Sequence, residues 1–483
     1  MKRLKPIMFV GTGSDVGKSI INTGLCRIFK QDGFSPAPFK AQNMSLNSFP
    51  TKDNREIGRA QAVQAEACGI DCTVEMNPVL LKPISEGSSQ VVLNGVPVGN
   101  SSASDYFKRG NREVLFAEAT KAFDKLRNKY NPIVMEGAGS ISEMNLWDKD
   151  ITNMRMAAYA EASTFLVADI DKGGVFASVY GSVMLLPEKW RRLIKGIIIN
   201  KFRGDIRLFD EGRKIIEELV GIPLVGVVPY MKDIYIEQED SVVLDHKQSA
   251  KGREDAEIQI GVIRLPSISN FTDFNVLSMC EGVSLRYIST AEEVRQSNII
   301  IIPGSKSTIS DMLYLKKSGL DAAIVKHYRA DKALYGICGG YQIMGESISD
   351  PTHIEGNINQ IAGLGILPIK TEIKGGKVTR QCSFTLLHSG AKGKGYEIHA
   401  GDTVSDRPLL QMENGESDGY YQSDICWGTY VHGIFDNAEI LDSILRRKTT
   451  LDYQAFKEEN YDRLAKALRE CIDIAYIYKT LEP

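Results

Sequence analysis

The chain has 483 residues, 43% hydrophobic and 25% charged, the balance of a globular protein of two or three domains and not of a disordered chain or a single small module. Lys+Arg 58 against Asp+Glu 61 leaves a net charge of −3, which provides no global field for a polyanion and excludes nucleic acid as a main partner. No aliphatic run reaches the length of a membrane span, and the apolar stretch 6–10 is too short for a signal-peptide core. Eight cysteines in a chain this long are not a disulfide framework. The expectation is therefore a cytoplasmic protein with no membrane partner.

In chain order, short aliphatic runs at 6–10, 35–40, 133–136, 164–169, 196–200 and 224–228 alternate with helical patterns, as strands buried on both faces of a parallel sheet do. Cys68 and Cys72 stand four apart with no second Cys/His pair to complete a zinc site, and read as helix-face cysteines. Residues 241–256 turn polar and lose periodicity, marking a linker with a boundary near Arg253. A second strand series follows at 258–264, 283–288, 298–302 and 334–337, and 369–431 is β-rich. The end, 452–481, is an amphipathic helix with Leu464, Leu468, Cys471, Ile472 and Ala475 on its packing face. The fold class is thus two α/β domains, 1–240 and 257–448, with a linker at 241–256 and a helical extension at 449–483.

Gly11–Ser19, GTGSDVGKS, lies between a strand and a helix. Such a loop aims backbone N–H groups and the helix dipole at a phosphate, Lys18 reaches the terminal phosphates, and Ser19 offers a hydroxyl to Mg²⁺. It is one residue longer than the common G-x-x-x-x-G-K-[ST] loop. Three polar groups end neighbouring strands: Glu136 in IVMEGAGS, Asp169 and Asp171 beside Lys172 in VADIDKGG, and Asn200 in NKFRGD. Glu136 suits Mg²⁺, and the NKFRGD loop resembles those that read a purine base.

LYGICGGYQIMG places Cys338 between a strand and a helix with glycines around it. This is the sequence of a nucleophile elbow, where glycines permit the sharp turn and the helix N-terminus favours thiolate. Of six histidines, His432 in GTYVHGIF ends a strand-like run and is the expected base, while His399 in YEIHAG, beside Glu397, is a glutamine-binding or interface residue. Gly304 or Ser305, with the amide of Gly339, can form an oxyanion hole. These parts suffice to hydrolyse an amide.

With both centres identified, the sequence resembles the cobyric acid synthases, glutamine-dependent amidases of the cobalamin pathway, over nearly its whole length. The phosphate loop is similar to that of dethiobiotin synthetase, and the Cys338 and YVHG segments resemble class I glutamine amidotransferases. FKAQNMSLNS (39–48), EIGRAQAVQAEA (56–67), NPVLLKP (77–83), NLWDKDITNM (145–154) and LPSISNFTDFNVL (265–277) are the discriminating stretches. They weigh against a cobyrinate a,c-diamide synthase and a cell-wall amidotransferase of the same plan. An intact Cys338 with His432 weighs against a nucleotide-switch protein whose second half only binds a partner.

The resemblance implies a P-loop NTPase-like first domain and a class I amidotransferase second domain, using ATP, Mg²⁺, glutamine and a corrinoid diamide. It assigns Thr12, Gly13, Gly17, Lys18, Ser19, Lys40 and Asn200 to the nucleotide, and Ser19, Glu136 and Asp148 to the metal. Arg59, Lys82, Asp171 and Lys172 go to the substrate, and Gly304, Ser305, Gly339 and Gln342 to glutamine and its oxyanion. The class I Glu expected two residues after the histidine is Ile434 here, so a Cys–His pair without that acid is implied; FTDFN keeps Asp273 as its only carboxylate.

Overall fold

A computed structural model describes residues 3–85, 88–102, 108–237 and 256–483. The expected linker lies outside these residues except for its last position. The chain divides into two compact units: one contains Met1–Met44, Ile57–Glu237 and Gln454–Pro483, the other Ser45–Glu56 and Gln238–Tyr453. Both are α/β.

The first unit is built on six parallel strands: β1 (Ile7–Gly11), β2 (Ala37–Phe39), β3 (Ile133–Glu136), β4 (Ser163–Asp169), β5 (Ile194–Phe202) and β6 (Leu224–Pro229). Their order is β6-β5-β4-β1-β3-β2. Every residue of β1, β3 and β4 is buried, which is why these runs are aliphatic without alternation. Register sets Phe9 beside Glu136 and Asp169 beside Asn200, so the polar strand ends gather at the carboxyl edge of the sheet, where doubly wound sheets bind ligands.

The helix α1 (Lys18–Gln31) follows the phosphate loop, and α2 (Arg59–Cys68) ends at Gly69, whose φ of 70° is the left-handed cap glycine supplies readily. Cys68 thus closes the helix and Cys72 lies beyond it, so the two do not share a helix face. A four-stranded sheet of Gln42–Met44, Val79–Ser85, Ser88–Leu93 and Val96–Ser102 carries Lys82. Val79, Leu81 and Val91 pack there on Leu115 and Ile151.

The C-terminal residues belong to this first unit. Leu464, Leu468, Ile472, Ile477 and Leu481 join Ile21, Leu25, Phe29 and Val225 in one core. A Cβ on Gly24 would come within 2.3 Å of Leu468, so glycine allows the helices to approach there. The expected single helix breaks after Cys471 and restarts at Ile474, with the Asp473 side chain accepting from the Tyr476 N–H at 2.8 Å. That break resets the helical phase: Ala475 is exposed and Ile477 takes the packing position.

In the second unit, β7 (Ile258–Ile263), β8 (Val283–Ile288), β9 (Ile299–Ile302), β10 (Ala333–Ile337), β13 (Tyr420–Ser423) and β14 (Cys426–Thr429) form a sheet ordered β8-β7-β9-β10-β14-β13. Only the β14-β13 pair is antiparallel. A second sheet contains the long antiparallel pair β11 (Lys370–Leu386) and β12 (Lys392–Thr403). A short helix, α3 (Gly339–Met344), starts directly after Cys338. Among the described residues no helix is long and apolar enough to cross a membrane.

Candidate active site

Two chemically distinct centres are present, one in each unit. In the first, the loop after β1 ends at Gly17, φ 95°, which caps α1. A Cβ at Gly17 would fall 2.0 Å from Asn200 Nδ2, and that amide donates to Val16 O at 2.8 Å. Asn200 therefore braces the loop from the end of β5. The buried Lys18 ammonium donates to Gly13 O at 2.9 Å and to Gly139 O at 3.0 Å, tying the loop to the segment after β3. The Thr12 N–H donates to Val167 O at 3.0 Å. Ser19 stands one residue into the helix, within its N-terminal positive field.

Glu136 is buried at the end of β3, with Lys40 Nζ at 2.9 Å and the Gln61 and Gln64 amides each at 3.2 Å. Lys40 and Glu136, assigned separately to nucleotide and metal, thus form one buried ion pair, with α2 supplying both glutamines. Asp169 binds Lys201 at 2.8 Å, and the same lysine donates to Asp15 O at 2.6 Å, a second brace on the phosphate loop from β5.

Of the remaining expected residues, Arg59 and Asp171 are engaged in ion pairs of their own. Asp148 is exposed in the 3-10 turn Met144–Lys149 and has no hydrogen bond or ion pair among the described residues. Nearby Asp150 instead accepts the Thr152 and Asn153 N–H groups at 2.8 and 3.0 Å, and Asn153 in turn exchanges hydrogen bonds with the Ala138 backbone. Arg59 is committed to Glu237 by a bidentate pair at 2.6 and 3.0 Å. Exposed Asp171 is paired with Arg203 at 2.6 Å, whose guanidinium holds the carboxyl below its usual range. Lys172 is exposed and Lys82 buried.

For Mg²⁺, no cluster of three or more His, Cys, Asp or Glu suited to a metal exists among the described residues. Ser19 and the strand-end carboxylates Glu136 and Asp169 are the side-chain oxygens this unit offers at the carboxyl edge of its sheet.

The second centre is built around Cys338. This residue has φ 53° and ψ −109°, outside the ordinary regions for a non-glycine residue, the strained turn expected of a nucleophile elbow. Two close approaches enforce the local glycines: a Cβ on Gly340 would lie 1.9 Å from Ile302 O, and one on Gly339 would lie 2.8 Å from Ser305 N. The Ser305 amide therefore sits against the residue that follows the thiol. Asp311 fixes this loop, accepting the Ser305 hydroxyl at 2.6 Å and the Ser267 N–H at 3.1 Å. Burial pushes Asp311 up to about 6 despite these donors.

His432 lies beside the thiol, fully buried, and a Cβ on Gly304 would be 3.1 Å from its Cε1. Its Nδ1 is 2.6 Å from Asp273 Oδ2. The same carboxylate accepts the Gly433 N–H at 3.2 Å and the Tyr396 hydroxyl at 3.4 Å. Burial opposes a charged imidazole, but Asp273 and the neighbouring thiolate override it and raise His432 to about 10. With Nδ1–H committed to a carboxylate, Nε2 is the acceptor for a thiol proton.

Cys338, His432 and Asp273 are thus brought together in triad order, and Asp273 stands where Ile434 supplies no acid. The sequence signal was the single carboxylate of FTDFN. Its pairing with His432 is not legible there, because it precedes the cysteine in the chain, whereas the class I acid follows the histidine.

Gln342 does not point freely at the thiol: it accepts from Thr308 Oγ1 at 2.9 Å and donates to the Tyr430 hydroxyl at 3.1 Å. His399 stacks on Tyr430 with ring centroids 3.8 Å apart, holds Gly401 O through Nδ1 at 2.8 Å, and has Nε2 3.5 Å from Glu397. Arg380 also pairs with Glu397, whose carboxyl lies below its usual range: burial works the other way, but His399 and Arg380 outweigh it. His432, not His399, is therefore the histidine brought to Cys338.

Comparison with known proteins agrees with both halves. Residues 7–242 match the CobQ/CobB/MinD/ParA nucleotide binding domain, and residues 259–440 match the CobB/CobQ-like glutamine amidotransferase domain. The chain is 54% identical over 491 residues to a cobyric acid synthase of Bacteroides fragilis, covering 99% of each chain. It is also 54% identical over 495 residues to that of Parabacteroides distasonis, covering 100% of this chain and 99% of the relative. The identity is 43% over 513 residues with that of Syntrophobacter fumaroxidans, again across 99% of both. With a phosphate-loop unit, a thiol unit and relatives matched from end to end, the chain belongs to the cobyric acid synthase family.

Proposed function

We propose that this enzyme is a glutamine-hydrolysing carbon–nitrogen ligase that makes cobyric acid, amidating the b, d, e and g propionates of a cobyrinic acid a,c-diamide in cobalamin biosynthesis. The observation that carries the reading is the Cys338–His432–Asp273 arrangement in a chain that also bears the Lys18 loop and matches cobyric acid synthases over its full length. The eight free thiols fit a reducing, cytoplasmic setting.

A carboxylate resists ammonia because oxide is a very poor leaving group, so it must first become an acyl phosphate. Lys18, the loop amides and the α1 N-terminus are suited to neutralise charge on the transferred phosphoryl group. Mg²⁺, when bound with ATP, supplies further charge neutralisation at the phosphates, and Ser19 with Glu136 is the donor set assigned to it. For Glu136 this requires Lys40 to share or release the carboxylate, and the adjacent glutamines keep it oriented as that happens.

In the other unit, His432 Nε2 accepts the Cys338 proton and the thiolate attacks the glutamine amide carbon. Ser305 and Gly339 N–H groups are the donors assigned to the oxyanion. Imidazolium then returns the proton to the departing nitrogen, giving ammonia and a thioester, which water cleaves to glutamate and free thiol. Asp273 keeps the proton on Nδ1 throughout.

The test is purified enzyme incubated with Mg-ATP, glutamine and cobyrinic acid a,c-diamide, followed by mass spectrometry. Four successive replacements of hydroxyl by amino are expected, each with glutamate formed. No mass change with the diamide would overturn the reading.

A further inference from the structure

The segment Ser45–Glu56 comes from the N-terminal half of the sequence but belongs to the thiol-bearing unit. It is held there by specific contacts. Gln381 donates to Pro50 O at 2.8 Å, and Lys377 pairs with buried Glu56 at 2.6 Å, while Glu56 also accepts the Ser48 hydroxyl at 2.6 Å. Asn47 Oδ1 accepts the Phe271 N–H at 3.3 Å, and the Ser48 N–H donates to Asn270 Oδ1 at 3.0 Å.

Asn270 is 3% exposed and adopts the left-handed conformation, φ 51° and ψ 39°, which asparagine tolerates better than most residues. Its Nδ2 lies 3.3 Å from His432 Nε2. Because Ser48 donates to Oδ1, the amide is oriented with its N–H groups towards the imidazole. The segment also reaches the ring by a second route: Phe49 packs edge-on against Tyr396 at 5.0 Å, and Tyr396 stacks on His432 at 5.2 Å and 19°.

We infer that Asn270 is a positioning residue of the thiol centre, with its amide oriented by Ser48, so that the segment Ser45–Glu56 fixes the aim and basicity of His432 Nε2. The inference rests on the glutaminase reading above. A donor at Nε2 matches the Nδ1–H tautomer that Asp273 requires and favours the neutral imidazole over the imidazolium. It holds the ring in plane, and because the amide and the thiol proton compete for Nε2, it tempers the pull of Asp273 and the thiolate towards imidazolium. The residue range on each side of this segment contains Lys40, Gln61 and Gln64, the three ligands of Glu136, so the chain that orders the phosphate centre also carries the support for the imidazole.

The experiment measures glutaminase kinetics and the pH dependence of Cys338 labelling by iodoacetamide in full-length Asn270→Ala, Ser48→Pro and Ser48→Ala, with circular dichroism and thermal unfolding as the control for folding. In Asn270→Ala, kcat for glutamine should fall about a hundredfold, the scale of a misplaced catalytic group, with KM little changed. The labelling midpoint should move to lower pH, because losing the donor favours the thiolate–imidazolium pair. Ser48→Pro, which lacks the N–H, should shift the midpoint in the same direction; Ser48→Ala, which keeps the N–H and loses only the hydroxyl bond to Glu56, should leave the midpoint in place.

An unchanged midpoint in Asn270→Ala would overturn the positioning role even if activity fell, since a structural lesion alone leaves that profile in place. A wild-type profile in Ser48→Pro would overturn the part assigned to the segment. If Asn270→Ala does not fold, the Ser48 pair decides. If wild-type enzyme neither hydrolyses glutamine nor loses labelling on His432→Asn, the glutaminase reading itself fails.

Discussion

Asp273 Oδ2 and His432 Nδ1 meet at 2.6 Å although 159 residues separate them in the chain. Asp273 sits in the short 3-10 turn Phe271–Phe274, and His432 follows β14, so the sheet brings the pair together through strands distant in sequence. The geometry makes the acid a full partner of the thiol centre. Asp273→Asn should therefore lower glutamine hydrolysis by up to about 10⁴-fold, the loss known when the acid of a hydrolase triad is replaced by its amide. Glutamate release assays check this, and ammonia-dependent amidation should continue.

Cys338→Ala should abolish glutamine-dependent amidation and leave synthesis from added ammonia near the wild-type rate, because only the nitrogen supply is removed. Rates with each nitrogen source measure it. Loss of both activities in folded protein would contradict the division of labour between the two centres.

Lys18→Ala should eliminate amidation with glutamine and with ammonia alike, by several orders of magnitude, since carboxylate activation precedes attack. Its ammonium also ties Gly13 to Gly139, so Lys18→Arg, which keeps the charge but not the geometry, should also be severely impaired. A near-normal ammonia-dependent rate in either variant would show that the loop is only structural.

Asp311 gives stability a defined pH dependence. Its pKa rises from 3.8 to about 6 through burial, so between these values the folded protein retains a proton that the unfolded chain has lost. The stabilisation is fully present below 3.8 and disappears as pH rises through about 6, a change of about 3 kcal/mol. Asp311→Asn should flatten this part of the stability curve relative to wild type. Denaturant midpoints at pH 4 and pH 7 provide the comparison.

Leu468→Ala should destabilise the phosphate-loop unit by about 2–5 kcal/mol, the cost of a large-to-small change in a closed core. Leu468 is fully buried against Gly24 of α1. Thermal unfolding monitored with and without nucleotide tests it, and a shift indistinguishable from zero would show that the C-terminal helices contribute nothing to that core.

The sequence by itself determined the elements whose physics is local. Unbroken runs of β-branched residues such as Ile299–Ile302, four residues long, favour a strand buried on both faces, as found. The glycines around Lys18 and Cys338 mark turns that a Cβ would block, and charge, strand order and motif spacing were enough to expect two α/β units and both chemical centres. The sequence also singled out His432 beside Cys338, because its strand-end context differs from that of the other histidines.

Tertiary structure decided what depends on long-range closure. Nothing local to FTDFN shows that Asp273 will meet a histidine 159 residues away, or that Glu136 will arrive already paired with Lys40. The helical pattern at the C-terminus was legible, but not that it packs on α1, because an amphipathic face specifies burial without naming its partner. Likewise, only the folded chain shows that Ser45–Glu56 leaves the phosphate-loop unit and places the Ser48 N–H on Asn270. Backbone hydrogen-bond groups look identical in every residue, and their partners are chosen by topology.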